Sequence, residues 1–300
     1  MSKKNNIAFI ILNYNDAITT MSLVNVLLGW PQDELDIHII IVDNKSTDDS
    51  LENLSGRYEN KGNVDVISSG YNGGYSYGNN VGVRYALHQY ESQYITIANP
   101  DIEINYNTFK ELLETFKDDN TIAACAPVMM DLNGNYSIHS QFIPSFRDDL
   151  QACINEAKVK TVIKEGFSYV DDNKNKIITQ MLPGCFFVIR AKCLQNIGFF
   201  DEGVFLFCEE RILGKKLVDA GYKQVLRSDL FFVHAHSVSI KKNFDVLKTW
   251  NILMRSRLYY QMKYNGINKV QILIFKIAIF YFMCRLRIVM LARKLLKKEK

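Results

Sequence analysis

The stretch YITIANPDIEI, residues 94–104, opens like an interior strand and then breaks. Asn99-Pro100-Asp101 interrupts it, and Ile102-Glu103-Ile104 resumes the alternation at once. Proline removes a backbone donor and fixes φ, so it ends a central strand. The acid behind it either starts an ordinary turn or stands at the mouth of a ligand crevice. The preceding segments bear on the choice. Residues 7–12 are a continuous apolar run, 37–42 is a second apolar strand, and 64–68 is a third strand. Strands of a parallel sheet buried on both faces have this composition. Helical stretches lie between them: one to about Leu28, one through Leu54 that Ser46-Thr47-Asp48 can cap, and one over 79–90. This alternation predicts an α/β sheet with mainly parallel strands. Ligands of such sheets bind beyond the carboxyl ends of the strands. Three of those ends carry polar groups: residues 13–15, Asp43, and residues 99–101.

Farther on, the pattern predicts a helix over 107–118 and a strand over 123–129. Residues 131–179 are polar and less regular. An apolar run over 181–189 surrounds Pro183-Gly184, and a helix over 209–220 and a strand over 224–233 follow. No repeat or low-complexity linker divides these parts, so one fused globule is expected.

Composition narrows the partners. A chain of 300 residues with 48% hydrophobic content can bury a substantial core, and a net charge of +4 implies no nucleic-acid partner. The six cysteines show no Cys-x-x-Cys spacing and lie mostly in apolar runs. They read as reduced thiols in a cytosolic setting. The first residues, MSKKNN, lack the features of a signal peptide.

Three further features carry chemistry. The loop from Gly70 to Gly82 is glycine-rich and leads into a helix, which suits an anionic group, yet it matches neither the P-loop nor the dinucleotide pattern. Glu209 and Glu210 follow the apolar residues 205–208 and open a helix. Acids there favour the helix dipole, and a carboxylate at a pocket rim can also deprotonate a hydroxyl. His234 and His236 stand at i and i+2 after a strand, on one face, as metal ligands do.

Taken in order, these residues resemble a family. Ile10-Ile11-Leu12-Asn13-Tyr14-Asn15, Val42-Asp43-Asn44-Lys45-Ser46-Thr47-Asp48, the loop positions Asn72, Gly74, Asn80 and Gly82, and Asn99-Pro100-Asp101 are similar to motifs of family 2 glycosyltransferases. So are Pro183-Gly184-Cys185, Gly198-Phe199-Phe200-Asp201-Glu202 and Glu209-Glu210. The likeness is to the rhamnosyltransferase-like branch. It implies a GT-A fold, with a mixed, mainly parallel sheet over residues 1–245 (1–130 for the nucleotide sugar, 131–245 for the acceptor) and a helical extension over 246–300. It implies donor contacts at Asn13, Asn15, Asp43, Asn72, Gly74, Asn80, Asn99 and Asp101. It also implies Mg²⁺ or Mn²⁺ at Asp101 with His234 or His236, and a general base at Glu210, with Glu209 beside it. The reaction implied is inverting transfer of rhamnose, galactose or glucose from a nucleotide-diphosphate donor to a glycan or lipid-linked acceptor of a bacterial surface polysaccharide. Two departures stand out. The metal motif keeps one Asp, and the acid that relatives often carry two residues after the pair is Ile212 here.

Two other readings are weighed. A sugar nucleotidyltransferase would want a glycine-rich, basic loop after the first strand, where Asn13-Tyr14-Asn15-Asp16 stands. A non-catalytic nucleotide-sugar-binding protein has no need of Asp43, Asp101 and Glu210 together. Any of these readings is compatible with a homo-oligomer.

The last segment is basic. Lys and Arg crowd residues 269–300, where Glu299 is the lone acid. A helix over 270–296 would place Lys269, Lys276, Arg287, Lys294 and Lys298 within about 40° of one another. Such a stripe suits an anionic membrane surface, and so a cytoplasmic protein held on the inner face of the plasma membrane. The bland alternative is a helix docked on the globule with its stripe in water.

Overall fold

The computed structural model describes residues 5–31, 34–117, 119–137, 142–154, 168–169, 175–235 and 245–296. Strands β1 (Asn5–Asn13), β2 (Leu35–Asp43), β3 (Val64–Ser68) and β4 (Tyr94–Ala98) alternate with helices α1 (Ala17–Leu28), α2 (Ser50–Tyr58) and α3 (Tyr75–Tyr90). Next come β5 (Ile102–Glu103), α4 (Tyr106–Leu113), a 3-10 turn at Glu114–Phe116 and β6 (Ile122–Met130). The second half adds β7 (Tyr136–Ser137), α5 (Phe146–Ile154), β8 (Ser168–Tyr169), β9 (Lys176–Thr179) and β10 (Phe186–Arg190). After these come α6 (Ala191–Asn196), α7 (Glu209–Asp219) and β11 (Lys223–His234), and then α8 (Val246–Lys263) and α9 (Lys269–Leu296).

One sheet runs β3-β2-β1-β4-β10-β6-β11-β9-β8, with β5 paired to β11 and β7 to β6. The four strands of the first half are parallel, β10 is antiparallel to both neighbours, and β6 and β11 are parallel. This is the mixed, mainly parallel α/β sheet of the GT-A fold. The apolar runs are continuous because both faces are covered. Ile7, Phe9 and Ile11 pack on one side with Leu27 and Phe109. Ala8 and Ile10 pack on the other with Val83 and Ala86. Alternate residues serve opposite faces, as the strand period of two demands.

Register sets the site. Asn13 pairs with Asp43 and Asp43 with Ser68, so the carboxyl ends of β1, β2 and β3 are level. On the far side of β4, His234 pairs with Ile102, which carries the end of β11 to the chain just after Pro100.

The structure corrects several boundaries. Helix α3 begins at Tyr75 rather than Asn79, inside the glycine-rich loop. A Cβ on Gly78 would lie 2.4 Å from Leu12, and one on Gly82 would lie 2.6 Å from Ile10. These glycines therefore let the helix lie close on the sheet, which outweighs their poor helix propensity. Of Ser46-Thr47-Asp48, Asp48 meets α2 (Ser50–Tyr58), its Oδ1 accepting from Ser50 N at 3.0 Å, while Ser46 and Thr47 bind the strand ends instead. The tract read as irregular contains α5.

Helix α5 matters because Asp149 joins three elements. The Arg211 guanidinium, on α7, donates to both carboxylate oxygens of Asp149 at 3.0 and 2.9 Å, and Gln261 Nε2, on α8, donates at 2.7 Å. Asp149 is 2% exposed. Removing one partner of such a pair leaves an uncompensated buried charge. Asp149→Ala should therefore lose ~3–5 kcal/mol of stability, read as a lower urea midpoint at unchanged slope.

Helix α9 packs Phe275, Ala278 and Phe282 against Cys153 of α5 and Met254 of α8. Among the described residues no helix is long and apolar enough to cross a membrane.

Candidate active site

The loops that leave β1 and β2 are tied to one another by side chains. Asp43, 1% exposed, accepts from Asn13 Nδ2 at 3.0 Å, Ser46 N at 3.0 Å and Ser46 Oγ at 2.5 Å. Asn13 Oδ1 accepts from Thr20 Oγ1 at 2.8 Å. Asn15 accepts from Thr47 N at 2.8 Å, and its own backbone N–H donates to Ser46 Oγ at 2.9 Å. Asn13, Asn15 and Asp43 thus meet at one strand-end cluster, in which the Asp43 carboxylate clamps the turn at residues 44–47.

Asn44 carries the connection onward. Its Nδ2 donates to Asn72 Oδ1 at 3.1 Å and to the Gly74 carbonyl at 3.2 Å. Gly74 has φ +92°, and a Cβ there would sit 2.1 Å from the Phe205 carbonyl oxygen. Only glycine allows this approach. The next residue, Tyr75, donates through its N–H to that carbonyl at 2.9 Å. The Tyr75 hydroxyl donates to the Gly184 carbonyl at 2.6 Å and lies 3.2 Å from Asn99 Oδ1. Tyr75 therefore fastens the glycine loop to the Asn-Pro-Asp turn and to Pro183-Gly184. Sequence reading missed it, since an aromatic after two glycines reads first as core.

Asp101 and His234 meet, as the motif order suggests. His234 Nε2 lies 3.1 Å from Asp101 Oδ1, both side chains are about a tenth exposed, and Ala235 N donates to the Asp101 carbonyl at 3.0 Å. A carboxylate oxygen beside an imidazole nitrogen is a donor pair suited to a divalent cation. Among the described residues no group of three His, Cys, Asp or Glu is placed to hold a metal. The remaining ligands would have to be substrate or water oxygens, which is how Mg²⁺ is usually bound. His236 lies outside the described residues.

Glu209 and Glu210 stand at the start of α7, directly after Phe207 and Cys208, both at φ +70°. Two successive non-glycine residues in the left-handed region are strained and persist only where the surroundings enforce them. Here Ser256 Oγ on α8 donates to the Leu206 carbonyl at 2.8 Å, next to the Tyr75 contact with Phe205. The turn directs Glu210 onto Gly184, where a Cβ would meet Glu210 Oε1 at 2.7 Å. A small cavity beside it is lined by Tyr75, Gly184, Phe187, Glu209, Glu210 and Gln224. Burial, then the charges of Glu210 and Asp101, hold the Cys185 thiol far above its usual range. The Cys185 carbonyl accepts from Asn99 N at 2.8 Å, which joins the Asn-Pro-Asp turn to the residue after Gly184.

The two glutamates differ. Glu209 is 8% exposed and its Oε1 has no hydrogen-bond partner among the described residues. Burial, and next the charge of Glu210, push its carboxyl up to about 8. Burial also raises Glu210. Two adjacent carboxyls, one buried and one half-buried, resist a double charge, so one proton stays on the pair, on Glu209. The folded state keeps that proton where the unfolded chain, with a carboxyl near 4.5, has lost it. Stability should therefore fall as pH rises from 4.5 toward about 8. In Glu209→Gln the melting temperature should fall less over this window than in the wild type, by a few °C.

Asn80 stands apart from the strand-end cluster. It is fully buried on α3, accepts from Phe200 N at 3.0 Å, and donates to the Phe200 carbonyl at 2.9 Å and to Glu202 Oε1 at 2.7 Å. It holds the loop that leads to the glutamates. Asp201 in that loop accepts from Tyr259 and Lys263 of α8 and from Tyr264. Burial alone would raise its carboxyl, but these donors and Gly203 N bring it down to about 2.

The sequence profile described as Glycosyl transferase family 2 matches residues 9–198. The low-salt glycan biosynthesis hexosyltransferase Agl10 of Haloferax volcanii is 29% identical over 68% of this chain. The match spans 59% of Agl10, about three-fifths of that relative's length. The rhamnosyltransferase WbbL of Escherichia coli K12 is 26% identical over 77% of this chain and 88% of its own. Among solved structures, GalNAc-T7 with UDP, GalNAc and Mn²⁺ superposes with a TM-score of 0.63 at 14% identity, covering 88% of this chain and 50% of that one.

Proposed function

The chain belongs to glycosyl transferase family 2, and on that premise we propose that it moves a sugar from a nucleotide diphosphate to a hydroxyl of a glycan or lipid-linked acceptor, with inversion. The observation that supports this reading is that the Asn-Pro-Asp turn, which leads into the Asp101–His234 pair, is bonded to Cys185 through Asn99 N at 2.8 Å, while Glu210 packs on the adjacent Gly184. The nucleotide lies along the ends of β1 and β2, against the cluster of Asn13, Asn15 and Asp43, with Asn72, Gly74 and Asn99 lining its path. Asp101 and His234 hold a divalent cation, Mg²⁺ or Mn²⁺, which when bound offsets the negative charge on the leaving diphosphate. Glu210 takes the proton of the acceptor hydroxyl as that oxygen attacks the anomeric carbon. The bond from that carbon to the diphosphate oxygen breaks in the same displacement, so the configuration inverts. Glu209, protonated, keeps a second charge out of the pocket.

The likeness to Agl10, a hexosyltransferase of glycan biosynthesis, and to the rhamnosyltransferase WbbL favours a hexose or rhamnose donor and a glycan acceptor. The basic C-terminal helix favours work at the cytoplasmic face of the membrane, where a lipid-linked acceptor is presented. The test is release of nucleoside diphosphate from a panel of dTDP-rhamnose, UDP-galactose, UDP-glucose and UDP-N-acetylhexosamines, with and without acceptor. Acceptor-dependent release from one donor supports the reading; no release from any of them counts against it.

A further inference from the structure

We propose that the outward side of α9 is a docking surface for an anionic lipid bilayer, a proposal that rests on the membrane-side reading above and adds the face and the residues that make the contact. The inward side of the helix is covered: Phe275, Ala278 and Phe282 are buried, the last 4.9 Å from the Trp250 ring. The opposite side is apolar and bare. Val270, Leu273, Ile277, Phe280, Ile288 and Leu291 are all exposed, Phe280 by 71% and Val270 by 66%. At roughly 100° per residue these six fall within about 80° of arc, along about 32 Å of helix. Apolar strips of this extent mark an interaction surface.

Charge selects the occupant. Lys269, Lys276 and Arg287 are exposed and lie about 20–40° beyond one edge of the strip. Residues 269–296 contain no Asp or Glu. A second copy docked on this face would bring two cationic rows together with no acid on either helix to pair them. An anionic headgroup layer pairs with every cation, while the apolar side chains enter the acyl boundary and the long cationic stems reach back to the phosphates. The inward face is already used, so the helix lies flat rather than crossing.

The experiment is vesicle sedimentation of the full chain, without donor or acceptor. Vesicles of phosphatidylcholine containing about a third phosphatidylglycerol should pellet the protein, and vesicles of phosphatidylcholine alone should bind at least about tenfold more weakly. Lys276→Glu with Arg287→Glu should weaken anionic binding by more than about tenfold, as should about 0.5 M salt. Leu273→Ser, Ile277→Ser and Phe280→Ser combined should abolish it. Since all the substituted residues are exposed, the melting temperature serves as the folding control. If the triple variant fails that control, the charge-reversal pair alone decides. Wild-type protein left in the supernatant, or charge-reversal variants that bind as well as wild type, would overturn the proposal. So would a concentration-dependent dimer that the serine variant dissolves in a protein that ignores vesicles. Sugar transfer to a soluble acceptor reads the catalytic proposal separately, and either can fail without the other.

Discussion

Glu210→Gln should lower the turnover number by ~10²–10⁴-fold, the usual contribution of a positioned general base. Glutamine keeps the shape that fills the space beside Gly184 and removes only the ability to take a proton. Donor binding should therefore survive, and the nucleotide sugar should still raise the melting temperature by linkage. The neighbouring change separates the two acids. Glu209→Gln removes a group that burial and Glu210 already keep protonated, up to about pH 8. It should cost far less turnover. In the wild type the rate should rise with pH as the pair gives up its first proton, and that apparent value belongs to the pair. A Glu209→Gln enzyme as dead as Glu210→Gln would reverse the assignment.

Asp101→Asn is the second large effect. The side chain keeps its volume and one carbonyl oxygen but loses the charge that faces His234. Transition-state charge stabilisation of this kind is typically worth ~10²–10³-fold in turnover. The loss should coincide with loss of the extra thermal stabilisation that Mn²⁺ adds to nucleoside diphosphate binding. Treating the wild type with a chelator should mimic the substitution, and Mn²⁺ should restore the wild type but not the variant. Full cation-dependent turnover in Asp101→Asn would take that residue out of the metal site.

Much of this was legible in the residues, for physical reasons. Residues 7–12, and 37–42 apart from His38, are apolar because helices cover both faces of the sheet, so the mainly parallel α/β sheet and the crevice at its carboxyl end followed. β4 ends at Ala98, just ahead of Asn99-Pro100-Asp101, and that break is visible in any reading. The pairing of Asp101 with His234 rests on β5 beside β11, a two-residue strand that motif order alone suggests.

Other features were hidden because they depend on long-range contacts. Asp149 meets Arg211 across 62 positions, and nothing near Asp149 in the sequence marks it. Ser46 and Thr47 carry helix-cap chemistry, yet the strand ends compete for the same hydroxyls and win. Gly78 and Gly82 read as loop residues, while their purpose is the close approach of α3 to Leu12 and Ile10. Helix α9 is apolar nearly all round, so its sequence could not say which side faces inward. Packing by α5 and α8 decides that, and the cationic row and the bare strip acquire their meaning from it.

The most direct test is a crystal structure of the chain soaked with Mn²⁺ and the nucleoside diphosphate that stabilises it best. The expected density puts the diphosphate and the metal against Asp101 and His234, the nucleoside along the ends of β1 and β2, and Glu210 across the remaining gap with room for an acceptor hydroxyl. Nucleotide bound elsewhere on the sheet, or bound with Glu210 shut away from the diphosphate, would contradict it.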